Sequence, residues 1–108
     1  MLTETSDYDD LYRNFRWEVP EHFNIATAAC DRHADGSGRL ALTFIDESGG
    51  GRKVSFDELQ AWSRRFANVL TEDGLRRGDR VGVFLSQSVE LPVAHLAAFR
   101  AGLVSVPL

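Results

Sequence analysis

The run from Lys53 to Leu108 constrains the fold more than any other part of the chain. It reads as helix, strand, helix, strand, with a stop signal after each helix. Ser55 and Glu58 have the Ser-x-x-Glu spacing of a capping box, in which the serine hydroxyl and the glutamate carboxylate each accept a first-turn amide. Apolar residues then recur with helical period at Leu59, Trp62, Phe66, Val69 and Leu70, while Gln60, Arg64, Arg65, Asn68 and Glu72 make a polar face. One apolar stripe implies one buried face. Gly74 comes just past the periodic run, where a left-handed residue can end a helix. The link Leu75–Arg80 carries the turn signal Gly78-Asp79.

Val81–Leu85 is short, uncharged and rich in valine, the pattern of a strand buried on both faces. Ser86 or Ser88 is placed to cap the next helix, and Pro92 fits only within its first turn, where amides lack intrahelical partners. That helix, ending at Ala101, carries Val89, Leu91, Val93, Ala94, Leu96, Ala97, Ala98 and Phe99. It has almost no polar face, so it is expected to be covered from several sides. Gly102 stops it and Leu103–Leu108 starts another strand. Strand, helix, strand at this spacing predicts a parallel βαβ unit with a right-handed crossover.

Upstream, residues 1–6 read as a loose end. Tyr8, Tyr12 and Phe15 share one side of a short helix, and Phe15, Trp17 and Val19 alternate along an extended piece up to Pro20. Asn24 is a candidate cap for a second short helix over Ile25–His33 with a small-residue face. His33–Arg39 is a loop. Leu40–Asp46 is a strand, and Glu47–Arg52 connects it to Lys53-Val54-Ser55, which together predict a β-hairpin. The expected fold class is therefore α/β: N-terminal helices, a β-hairpin, then the helix-strand-helix-strand unit, an incomplete piece of a larger α/β subdomain. The chain divides into a helical lead-in over 1–39 and a domain start over 40–108.

Composition limits the functions available. The hydrophobic fraction of 44% argues against disorder for these 108 residues, which are at most one domain. The formal charge is −4, and Glu4, Asp7, Asp9 and Asp10 leave the rest of the chain neutral, so no basic surface for nucleic acid is implied. Cys30 is the only cysteine, which excludes an internal disulfide and suits a reducing compartment. There is no membrane-spanning run and no signal-peptide pattern at the N-terminus, so a cytoplasmic protein is expected.

Four features invite a chemical reading. Gly49-Gly50-Gly51-Arg52-Lys53 faintly suggests a phosphate loop but lacks its glycine spacing and lies between two strands, so a hairpin loop is preferred. His22, His33 and His95 have no Cys or carboxylate at metal-ligand spacing, and His95 reads better as a packed, hydrogen-bonded residue than as a base. Cys30 could be a nucleophile, yet no His or Asn is placed to activate it, which favours a small buried hydrophobe. Arg76, Arg77 and Arg80 could meet a phosphate, although a solvated turn with a local Arg–Asp pair to Asp79 accounts for them. No catalytic, cofactor-binding or metal-binding residue is assigned.

Val54–Leu108 resembles the N-terminal part of the AMP-forming acyl-CoA synthetases, the adenylate-forming superfamily. The matching motifs are Ser55-Phe56-Asp57-Glu58-Leu59, Gly74-Leu75-Arg76-Arg77-Gly78-Asp79-Arg80-Val81, Ser88-Val89-Glu90-Leu91-Pro92-Val93, and Arg100-Ala101-Gly102-Leu103-Val104-Ser105-Val106-Pro107-Leu108. Tyr12–Trp17 and Val19–Asn24 are similar to the lead-in of the medium-chain acyl-CoA and acetyl-CoA synthetase branch. The resemblance implies a ligase that forms an acyl-adenylate from ATP and a carboxylic acid, then passes the acyl group to CoA. It implies ATP, Mg²⁺ and CoA as cofactors of a full-length parent, with none bound by this stretch. The family's Ser-Gly-Thr-Thr-Gly-x-Pro-Lys loop, its later acidic residues and its C-terminal lysine are not in these 108 residues. The motifs present are mainly structural in the family, so this stretch alone is expected to be inactive, with the rest of the synthetase chain as its partner. The alternatives are a free-standing non-catalytic α/β interaction module and, more weakly, a small nucleotide-binding α/β domain.

Overall fold

The computed structural model describes residues 7–108. The expected loose end at residues 1–6 lies outside the described residues. The element order is α1 (Tyr8–Asn14), α2 (Ile25–Ala29), a 3-10 turn (Asp31–His33), β1 (Leu40–Ile45), β2 (Gly51–Ser55), α3 (Phe56–Glu72), β3 (Arg80–Val83), α4 (Glu90–Arg100) and β4 (Val104–Pro107). This is a mixed α/β chain in which β1 and β2 form the expected antiparallel hairpin and β3 and β4 form a two-stranded parallel sheet.

Two helices form the spine. α3 starts at a complete capping box: the Ser55 hydroxyl accepts the Glu58 amide, and the Glu58 carboxylate accepts the Ser55 amide at 2.8 Å. Both α3 and α4 end in the same way. After α3, Gly74 takes φ +93°, its amide donates to the Thr71 carbonyl, and the Leu75 amide reaches back to the Leu70 carbonyl. After α4, Gly102 takes φ +71°, with Gly102 donating to Phe99 and Leu103 to Ala98. Each is a Schellman ending, in which a left-handed residue lets two stranded carbonyls find donors.

The buried face of α3 differs from the expected stripe. Leu59, Ser63, Ala67 and Leu70 point inward, whereas Phe66 and Val69 are exposed. The reason is the neighbour: α4 presents Ala94, Ala97 and Ala98, and small residues on both helices let the backbones approach closely. The larger side chains are turned away from that contact. One apolar cluster, Ala67, Leu70, Ala97, Ala98 and Leu103, fills this seam. A second, Cys30, Val54, Leu59 and Val89, lies between the hairpin, α3 and the start of α4. As expected for a helix without a polar face, every residue of α4 after Glu90 is buried or half-buried.

Three local expectations are corrected. The strand over Val81–Leu85 is not buried on both faces: β3 ends at Val83, and Phe84 and Leu85 are exposed, because no described element packs over them. Neither Ser86 nor Ser88 caps α4 with its side chain; Val89 occupies the cap position in helical conformation. The second helix of the lead-in is not continuous to His33 but breaks at Cys30 into α2 and the 3-10 turn. Asn24 caps α2 as expected, accepting from the Ala26 and Thr27 amides. On the aromatic side of α1, Tyr8 and Tyr12 are exposed and stack on each other.

Candidate functional site

A polar constellation held among packed elements joins the lead-in to the spine. Arg100 ends α4, where a cation also complements the helix dipole. Its guanidinium meets the Asp31 carboxylate in a bidentate pair at 2.7 and 2.7 Å, with each side chain only 16% exposed. The Ser63 hydroxyl accepts a further bond from Arg100 at 3.2 Å, and Arg64 stands 3.9 Å from Asp31. Among the described residues, Arg100 Nε is buried without a hydrogen-bond partner. At the same end of α4, the Asn24 amide donates to the carbonyls of Phe99 and Arg100, at 3.1 and 3.4 Å.

The electrostatics describe a tie rather than a reagent. The Arg100 guanidinium holds the Asp31 carboxyl below the usual aspartate range, against the opposing effect of burial. The same pairing pushes Arg100 up. A carboxylate that stays ionised and a guanidinium that stays protonated cannot exchange protons near neutral pH. A shallow depression beside the pair is lined by Arg64, Ala67, Asn68, Thr71, Arg100 and Ala101.

The residues singled out in the sequence are not brought together. In the glycine-rich turn, Asp46 accepts from the amides of Ser48 and Gly50, both at 2.9 Å, and from the Ser48 hydroxyl. Amides that would cradle a phosphate already serve this carboxylate, so the turn is a hairpin loop. Arg52 lies over the Trp62 ring at 4.9 Å. His95 Nδ1 is hydrogen-bonded to Ser105 Oγ at 2.6 Å and its ring stacks on Phe99, so it packs α4 against β4. His22 is exposed and His33 lies against Phe56. Cys30 is buried, its thiol donating toward the Phe56 carbonyl at 3.7 Å; burial pushes its pKa up, which suppresses the thiolate. The turn after α3 contains no Arg–Asp79 ion pair; Asp79 instead accepts the backbone amide of Arg76 at 2.7 Å. Among the described residues, no group of three His, Cys, Asp or Glu is arranged to hold a metal ion, and no helix is long and apolar enough to cross a membrane.

Asp31 was not legible as Arg100's partner. Arg100 itself gave a signal, as the one permanently cationic residue in an apolar helix, which has to find an anion when its helix is buried. Nothing local indicates which carboxylate answers it, because Asp31 is 69 positions away.

A parallel βαβ unit entered from a capped helix, with a hairpin in front, is an α/β arrangement that this chain shares with proteins of known structure. The chain belongs to the family described as AMP-binding enzyme, whose profile matches residues 30–108. It is 38% identical to the mitochondrial acyl-coenzyme A synthetase ACSM3 of Mus musculus over 94% of this chain and 19% of that protein. It is 39% identical to the acetyl-coenzyme A synthetase of Streptomyces avermitilis over 93% of this chain and 16% of that protein. Among solved structures, the acyl-CoA synthetase of Brucella canis superposes with a TM-score of 0.81 at 28% identity, covering 91% of this chain and 20% of that one. The chain thus spans less than a fifth of the length of these two curated relatives.

Proposed function

We propose that this chain is the N-terminal portion of an ATP-dependent acyl-CoA ligase, an acid–thiol ligase that activates a carboxylic acid as its acyl-adenylate and transfers it to CoA. The observation that carries the reading is the match of residues 30–108 to the AMP-binding enzyme family, together with relatives named as acyl- and acetyl-CoA synthetases. ATP, Mg²⁺, CoA and the carboxylic acid are then ligands of the parent, held by residues outside this stretch. Here the Arg100–Leu108 motif has a mechanical role. Arg100 is anchored to Asp31, Gly102 turns the chain, and Val104–Pro107 pairs with β3.

In this reading the stretch supplies no catalytic, nucleotide-binding or metal-binding group. Residues 1–39 serve as the lead-in and 40–108 open the synthetase domain, with Asn24–His33 docked on α4. Cys30, the only cysteine of these 108 residues, fits a reducing compartment, and we place the parent in the cytoplasm.

The test is a hybrid in which residues 7–108 replace the matching segment of the Brucella canis acyl-CoA synthetase. The hybrid is expected to form AMP from ATP only when a carboxylic acid and CoA are present, and the 108-residue chain alone to form none. A folded hybrid that binds ATP but never forms AMP would sink the reading. It would leave the free-standing interaction module as the better account.

A further inference from the structure

We propose that residues 24–33 form a clip that opens and closes on the α3–α4 pair as one unit, with the Asp31–Arg100 pair as its latch. The clip rests on the geometry of the chain and stands apart from the ligase reading.

The clip is held at few points, and they lie close together. Asn24 grips the carbonyls of Phe99 and Arg100. Ala26 and Cys30 are fully buried, and Asp31 takes both guanidinium arms of Arg100. On its N-terminal side nothing supports it: among the described residues α1 packs against no other element, and Trp17, Val19 and Phe23 are exposed. On its C-terminal side the chain is fastened independently. The Gly36 and Gly38 amides donate to the Asp57 carboxylate at 2.9 and 3.0 Å, at the start of α3. Release of the latch therefore frees a ten-residue segment while the loop behind it stays fixed. A short segment held by a few polar ties and two small buried side chains can open locally, below the cost of global unfolding.

Cys30 reports this opening without labelling ambiguity, since it is the only cysteine. Closed, Cys30 is 1% exposed and packs with Val54, Leu59 and Val89. Open, it moves out with the segment. An aromatic disulfide such as dithiobis(nitrobenzoate) then reacts by exchange: the Cys30 thiolate attacks one sulfur, a mixed disulfide forms, and thionitrobenzoate leaves with the electron pair.

The experiment tracks the rate of thionitrobenzoate release from the dilute full chain, across urea concentrations below its unfolding transition. Local opening exposes little surface, so the wild-type rate is expected to be nearly flat in urea. Asp31→Asn is expected to raise the rate about tenfold or more while leaving it flat and the far-UV circular dichroism unchanged. If that variant does not fold, Asn24→Ala carries the same comparison, with a rise of about threefold or more. Two results overturn the clip: a wild-type rate that climbs with urea as steeply as global unfolding does, or folded variants that react no faster than wild type.

Discussion

At the scale of single residues, Asp31 decides more than its position in the lead-in suggests. It faces Arg100 from α4 and Arg64 and Gln60 from α3, and its carboxyl is held below its ordinary value of 3.8, chiefly by the Arg100 hydrogen bonds. A depressed acid stabilises the fold above the unfolded-state value, and that contribution is lost as pH falls through the lower folded value. Asp31→Asn is therefore expected to cost about 2–3 kcal/mol at pH 7, the worth of hydrogen bonds between charged groups out of water. The difference in urea midpoint between wild type and Asp31→Asn should hold constant from pH 7 to about 5 and shrink below 3.8. A difference that stays undiminished at pH 2 would show that the variant acts through packing and not through the ion pair. Arg100 titrates in no accessible range, since its own shift is upward.

At the scale of elements, the helix endings set the direction in which β3 and β4 leave the spine, and they can be compared with each other. An L-residue at positive φ costs about 1–2 kcal/mol. Gly74→Ala meets open space, so it should lose about that much and nothing further. Gly102→Ala adds a Cβ 3.1 Å from the Arg77 Cγ, so it should lose more, by the work of displacing that stem. The measurement is urea denaturation of both variants; equal losses would mean that the Arg77 stem moves freely. These endings, the capping box and the hairpin were all legible in the sequence because each is local, made by residues near one another in the chain. The buried face of α3 was misread for the opposite reason. Periodicity marks apolar positions, but which of them face inward depends on the partner helix. Here Ala97 and Ala98 reward small residues, so Ser63 and Ala67 are buried and Phe66 and Val69 are not. Val81–Leu85 was misread likewise, since its composition records a demand for neighbours and not their presence. The Asp31–Arg100 tie was not legible, because no sequence period connects two residues so far apart.

At the scale of the whole molecule, the chain does not cover itself as a free domain of its mass does. It exposes 8333 Å², whereas a folded monomer of 12.0 kDa typically exposes about 6,000 Å². Its Cα radius of gyration is 17.1 Å, against about 13 Å for a compact domain of this length. The surplus is partly apolar. Phe84 is 83% exposed just beyond β3, and Leu108 is 77% exposed beside β4. Both lie at a two-stranded sheet whose outer edges have no partner among the described residues, and such edges invite association. If these groups are surfaces for the rest of a synthetase, one substitution should act in opposite directions in two settings. In the chain alone, Phe84→Ser removes an exposed apolar group, so it should lower self-association in sedimentation velocity by about twofold or more without changing the circular dichroism. In the hybrid synthetase the same change removes a buried contact, and it should destabilise the protein by about 3 kcal/mol, read as a lower urea midpoint. Equal and negligible effects in both settings would mean that Phe84 faces water in the parent as well, and that the excess surface of this chain has another cause.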